Sequence, residues 1–426
     1  MLLKSTQENA SENNRSSIGQ YLQQLSSDRQ ASSLAGDELE RALQLALEVL
    51  ERGDFHERWE AAKLLPKLGT VAIDPLIEIL EDEEADPELR WFAARILGEL
   101  DSPAVVTPLI NLLQSAADQE LVEMAANALG HLGTSAIEAL TALLPSAETR
   151  LLAARSLSQI RHSATITPLL SIVGDPAVEV RVVAIEALSS FHDSCIPPIL
   201  LAALNDLAAS VRKEAVIGLG LRADLREELG LVDRLQPLLF DFNIEVCSAA
   251  AIALGRMGTD EAVGVLFAAL KSPTTPIPLQ ISIVRAISWV GTSAALEYLQ
   301  QGLTSTSEEV GQEIVNLLGR WENPQLRTQA AEILIQFLNS EPSIERSSNL
   351  KQSVALALGQ LGEDRALTPL IQLLADPDMG VKLHAIAALK TFDGARQQLQ
   401  QMATEDNLTP ELRQEIAIAL QELPAS

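Results

Sequence analysis

The chain repeats one motif twelve times. DPELRWFAARILGEL (86–100) aligns with DPAVEVRVVAIEALSSF (175–191), DFNIEVCSAAAIALGRMG (241–258) and DPDMGVKLHAIAALKTF (376–392). Each has an acid, an apolar residue followed by a cation or its replacement, a small apolar residue three positions on and an aliphatic residue seven on. The cation slot falls at Arg58, Arg90, Val122, Arg150, Arg181, Arg212, Cys247, Gln280, Gly311, Lys351, Lys382 and Arg413, and eight of these twelve are basic, so the register is not chance. Successive slots are 32, 32, 28, 31, 31, 35, 33, 31, 40, 31 and 31 residues apart, a period that signals a solenoid of helical pairs.

The position three after each slot reads Ala61, Ala93, Ala125, Ala153, Ala184, Ala215, Ala250, Ile283, Ile314, Val354, Ala385 and Ile416. Offsets of three and seven share one helical face, and a small residue there lets the next helix approach closely. Between motifs runs a second helix, as in AIDPLIEILED (72–82), AVVTPLINLLQ (104–114), TITPLLSIV (165–173) and ALTPLIQLLAD (366–376). Its early Pro suits a first turn, where no backbone N–H partner is lost. One helix pair cannot cover its own apolar face, so pairs must stack. The Asp ahead of each motif helix can cap it and also reach a cation of the neighbouring repeat. The basic slots Arg58, Arg90, Arg150, Arg181, Arg212, Lys351, Lys382 and Arg413 are therefore expected to form a structural ladder. A hydrophobic content of 47% with only 3% aromatic residues fits helices packed by Leu, Ala, Ile and Val.

The net charge of −27 opposes binding to nucleic acid and to anionic membranes. No apolar run reaches the ~18 residues of a spanning helix, so no membrane insertion is expected. Cys195 and Cys247 are the only cysteines, too few for a disulfide framework and consistent with a cytoplasmic location. The N-terminal sequence carries no legible targeting signal. Residues 1–36 are polar and expected to be mobile; a helix then starts with Asp37 as N-cap and stops at Gly53. The remainder, 37–426, is expected to be a single array with irregularities near 222–233, 271–278 and 338–349. There the slots read Cys247, Gln280 and Gly311 and Trp289 and Trp321 appear, marking a hinge or a second contact surface.

At these residues the chain resembles the HEAT-repeat superfamily over roughly 54–423, and its short period of about 31 looks like the phycobilisome-lyase HEAT-like branch, of cyanobacterial type. The resemblance implies an all-α fold, a right-handed α-solenoid of about twelve short HEAT-like pairs, with the motif helix lining the concave side. It also raises the iron-dependent deoxyhypusine hydroxylase, whose di-iron centre implies several His-Glu pairs. Of His56, His131, His162, His192 and His384, only His56 precedes Glu, at Glu57, and only His192 precedes Asp, at Asp193. That set cannot supply such a centre, so no metal is assigned, and Asp54 with Glu57 is expected to form a capping box. In FHDSCIPP, Cys195 near His192 has no visible orienting partner or oxyanion hole. No phosphate loop, HExxH or GxSxG occurs, so no catalytic residue or cofactor is assigned.

The strongest surface signal is aromatic. Trp59 and Trp91 each follow a slot, so the two rings are expected to stack near one end of the groove, with Phe92, Arg95 and Arg155 nearby, unless they plug the seam between repeats. Such a group has the composition of a binding hot spot. Two functions follow: a non-enzymatic scaffold holding a partner protein along its concave groove, or a bilin lyase or chaperone delivering a phycocyanobilin-type tetrapyrrole to an apo-phycobiliprotein. In the second, Trp59, Trp91 and Phe92 wall the bilin and Arg95 and Arg155 meet its propionates. The resemblance adds a narrower scaffold role, docking an iron-sulfur carrier. The acidic run EDEEADPE (81–88) can attract a basic partner.

Overall fold

The computed structural model describes residues 36–321, 323–340, 347–404 and 408–423. The segment 1–36 assigned above as mobile lies outside them except for Gly36, as do residues 341–346 of the last irregularity. Among the described residues the regular structure is entirely helical. All twelve slots fall within motif helices. The first six helices are α1 (Asp37–Arg52), α2 (Phe55–Leu64), α3 (Ile73–Glu81), α4 (Pro87–Gly98), α5 (Val106–Ser115) and α6 (Gln119–His131), of which α2, α4 and α6 are motif helices. The other nine motif helices are Arg150–Gln159, Val178–Ser189, Ala209–Gly220, Ile244–Met257, Ile277–Val290, Glu308–Gly319, Ser348–Leu361, Met379–Leu389 and Pro410–Glu422. Asp37 is the first residue of α1 rather than its cap: Gly36, at φ 61°, takes the N-cap position without a side-chain bond, because a left-handed residue there suits glycine.

The core is the motif itself. All twelve residues three after the slots, from Ala61 to Ile416, are 0% exposed. Of the aliphatics seven after, eleven from Leu65 to Leu389 are also 0% exposed, and Leu420 is half-buried. At ~1.5–3 kcal/mol for each fully buried Leu, Ile or Val, the second column and the larger members of the first hold successive repeats together.

The ladder forms along the turns. Arg58 Nη1 donates to Asp86 Oδ2 at 3.0 Å and also pairs with Glu88. Arg150 Nη1 meets Asp175 at 2.8 Å, Lys351 Nζ meets Asp376 at 2.7 Å, and Arg212 holds both oxygens of Asp241 at 2.7 Å. Each of these acids also turns its own chain: Asp86, Asp175, Asp241 and Asp376 accept the backbone N–H two residues on. One carboxylate thus ties two repeats.

The slot has a second task that its charge does not reveal. Arg150, Arg181 and Arg212 each donate to the carbonyl oxygen six residues earlier, at Leu144 (2.6 Å), Asp175 (2.8 Å) and Asp206 (2.8 Å). Cys247 keeps this bond, with Sγ 3.1 Å from the Asp241 oxygen, and Gln280 donates to the Thr275 oxygen at 3.2 Å. Uncharged donors therefore suffice where the acid is absent or already paired. Arg90 departs from the ladder: its Nε donates to the Leu80 oxygen at 3.0 Å. Lys382 reaches Glu415 at 2.7 Å, and Arg413 is exposed.

The helices gather into two compact units, 1–196 and 197–426. All three irregularities lie in the second. The insertion near 222–233 folds into short turns and helices (Ala223–Leu225, Arg226–Leu229, Leu231–Leu235) that bend at Gly230, φ 57°. The loop near 271–278 is pinned by Thr275, whose buried hydroxyl donates to the Ala269 oxygen at 2.7 Å.

Candidate functional site

At the start of α2, Asp54 Oδ1 accepts the Glu57 N–H at 2.9 Å while Glu57 Oε2 accepts the Asp54 N–H at 3.0 Å, a complete capping box. His56 lies exposed in this first turn. The box also fixes Phe55 as the first helical residue, one turn ahead of Trp59. Their rings stack at 6.0 Å between centroids, 23° between planes. On α4, Phe92 is fully buried and gathers the other rings, at 5.6 Å from Phe55, 6.2 Å from Trp59 and 5.2 Å from Trp91.

Two expectations change here. Trp59 and Trp91 do not stack on each other: each meets Phe92 edge-on, at 75° and 88°. Phe92 is not a groove residue, because it fills the seam between α2 and α4, where its ring escapes water entirely. Arg95 joins the cluster from one turn further along α4, with its guanidinium 3.9 Å above the Trp59 ring and 3.5 Å from Glu99. Arg155 belongs to another motif helix, Arg150–Gln159, and stands exposed. Trp59, Trp91, Phe92 and Arg95 are thus brought together, and Arg155 is not among them.

The outward side of the cluster is a surface hollow of about 390 Å³. Phe55, Pro87, Trp91 and Leu121 give it an apolar lining, and Glu88, Asp118 and Glu120 line it with carboxylates. Phe55, 59% exposed, is an open apolar part of this lining and went unnoticed in the sequence. The missed signal was its spacing of four from Trp59, which puts both rings on one helical face.

Other candidates are quieter. Among the described residues, no group of three His, Cys, Asp or Glu side chains is placed to hold a metal ion. The Asp193 carboxylate hydrogen-bonds Cys195 and holds its exposed thiol above the ordinary range, the reverse of an activated nucleophile. Burial raises Cys247 likewise. Of the two tryptophans in the irregular region, Trp289 is 58% exposed and Trp321 is buried.

The sequence matches the HEAT-repeat family over residues 73–148, 196–278 and 345–421, more than half of the chain. The chain belongs to the HEAT-repeat family. Its helix pairs and buried motif columns make it an all-α solenoid of that type. No curated protein sequence matches it. Among solved structures it resembles Kap121p bound to Pho4p, with 14% identity over 93% of this chain and 51% of that one, TM-score 0.57. It also resembles Kap95p, whose binding alters the switch loops of RanGDP (15%, 96% and 66%, TM-score 0.55). Importin beta is similar at 12% identity, with 92% and 63% coverage and a TM-score of 0.50. The chain therefore spans only 51–66% of the length of these three structures, and at such identities the likeness concerns the fold.

Proposed function

We propose that this HEAT-repeat chain is a non-enzymatic scaffold that binds a partner protein through its motif helices, anchored at the aromatic cluster of α2 and α4. The observation that carries this reading is the hollow itself, where Phe55, 59% exposed, and half-buried Trp91 stand on a rigid buried Phe92. Rings held open by packed neighbours bind at little entropic cost, and such anchors dominate protein interfaces. Kap121p, similar in fold, is bound to Pho4p in its structure, which fits a protein ligand. Two unpaired cysteines, one of them exposed, suit a reducing compartment such as the cytoplasm.

Membership of the phycobilisome-lyase branch, in a cyanobacterial-type host, would instead make the ligand a bilin and the partner an apo-phycobiliprotein. That role draws on the same residues, but Phe92 is buried and Arg95 is occupied by Trp59 and Glu99. The geometry supports a protein ligand better.

Affinity capture from the native host tests the proposal. Wild-type chain should retain a specific protein that the Phe55→Ala/Trp91→Ala variant loses, with little change in melting temperature. Equal capture by both would sink the anchor. A new absorption band on mixing with phycocyanobilin would favour the tetrapyrrole.

A further inference from the structure

We infer that the hollow between α4 and α6 receives a basic side chain, an arginine or lysine, flanked by apolar residues on the partner protein. This rests on the scaffold reading and adds the chemistry of the ligand. Two cations that the repeat pattern provides elsewhere are lacking here.

The first concerns the ladder. Asp86, Asp175, Asp241 and Asp376 each take a cation from the preceding repeat. Asp118 is the equivalent acid at the head of α6, where it accepts the Glu120 N–H at 2.8 Å. Its expected partner, Arg90, has turned to the Leu80 oxygen instead. Among the described residues, neither Asp118 nor Glu120 makes an ion pair, and both line the hollow. The slot of α6 itself is Val122, so this repeat brings no cation of its own.

The second concerns the rings. Trp59, one residue after its slot, is covered by Arg95, five after the next slot. Trp91, one residue after the following slot, would by the same relation be covered by residue 127. That position is Asn127, whose Oδ1 accepts a hydrogen bond from Gln159 at 3.0 Å. Among the described residues, Trp91 thus lacks its cation in the repeat where Asp118 lacks one.

Trp91, Asp118 and Glu120 line one hollow. A guanidinium or ammonium entering it would lie near the Trp91 ring and the Asp118 and Glu120 carboxylates, with its alkyl stem along Phe55, Pro87 and Leu121. The exposed acids of the preceding turn, Glu81 to Glu84, and the net charge of −27 add attraction at longer range. The lining excludes an acidic ligand by repulsion and gives a purely apolar one no use for its carboxylates.

The test uses the full chain and two labelled peptides, Leu-Arg-Leu-Arg-Leu and its citrulline counterpart, with binding followed by fluorescence anisotropy. Citrulline keeps the shape and removes the charge. The arginine peptide should bind about tenfold more tightly, and Asp118→Asn/Glu120→Gln should erase that preference. Asn caps a helix as well as Asp does, so the fold should survive. Glu83→Gln/Glu84→Gln makes the same charge change outside the hollow and should alter binding by less than about twofold. Equal binding of the two peptides, or equal losses in the two double variants, overturns the assignment. Capture of the host partner undiminished by Asp118→Asn/Glu120→Gln would also overturn it while leaving the scaffold reading intact. Failure of that reading is distinguishable, because it removes capture by the wild-type chain itself.

Discussion

Cys195 and His192 stand close in sequence, yet the residue between them that matters is Asp193. Its carboxylate accepts the Cys195 N–H at 2.9 Å and raises the thiol pKa through its side-chain bond, leaving less thiolate near neutrality. Alkylation of Cys195 by iodoacetamide, followed by mass spectrometry, should run slower than that of an unstructured cysteine, and Asp193→Asn should accelerate it. Rates equal in the two proteins would refute the coupling. Asp241 gives the complementary case: its bidentate bond to Arg212 lowers its pKa although partial burial opposes this. A carboxylate whose folded pKa is depressed contributes stability above its unfolded value of ~3.9, and loses it as pH falls through the folded value. Urea midpoints should therefore fall more steeply below about pH 4 in wild type than in Arg212→Met. Parallel curves would remove the pair from the acid response. The register put Trp59, Trp91 and Phe92 on neighbouring motif helices, but it does not specify that Phe92 turns inward while Phe55 turns outward. Ring direction is decided by what the adjacent repeat places opposite, and a one-dimensional frame contains no such contact.

The motif helices were legible because their period and their buried apolar column agree; the expected capping acid is present at only four of them, Asp54, Asp86, Asp118 and Asp378, and the others begin without one. What the motif concealed is a glycine eight residues after several slots: Gly98, Gly130, Gly220, Gly255, Gly319 and Gly359. Local rules count such a glycine as a mere weakness in a helix. The structure gives five of them a backbone neighbour across the seam. A Cβ on Gly98 would lie 2.7 Å from Ala128 Cα, and one on Gly319 would lie 2.7 Å from Ala357 Cα. These alanines occupy matching places, six after the next slot, so glycine and alanine together set how closely consecutive motif helices approach. The sign of a substitution then separates two effects. Helix propensity alone predicts that Gly98→Ala gains about 1 kcal/mol. Overpacking against backbone predicts a loss of about 1–3 kcal/mol, because the opposing atom cannot rotate away. We expect the loss, measured by urea unfolding; a gain would show that the seam has room to spare.

At the scale of the whole molecule, a solenoid's stability is a sum over repeats and the interfaces between neighbours, so damage should stay near its source. Length and charge narrow the class of partner, but they do not show how a perturbation spreads. The contact pattern does: α4 packs on α2 and α6, and neighbouring motif helices recur as partners within each unit. Leu97 lies in that seam with no exposed surface. Leu97→Ala removes a fully buried aliphatic at a cost of ~2–5 kcal/mol. Hydrogen exchange read by mass spectrometry should show faster opening of α4, then of α2 and α6. The helix Met379–Leu389, many repeats away, should keep its wild-type protection. Uniform loss from α1 to Pro410–Glu422 would require the chain to open as one cooperative block. Graded loss would mean instead that each repeat is held mainly by its neighbours, and a ligand bound at α4 and α6 would then stiffen those helices and leave the far repeats as they were.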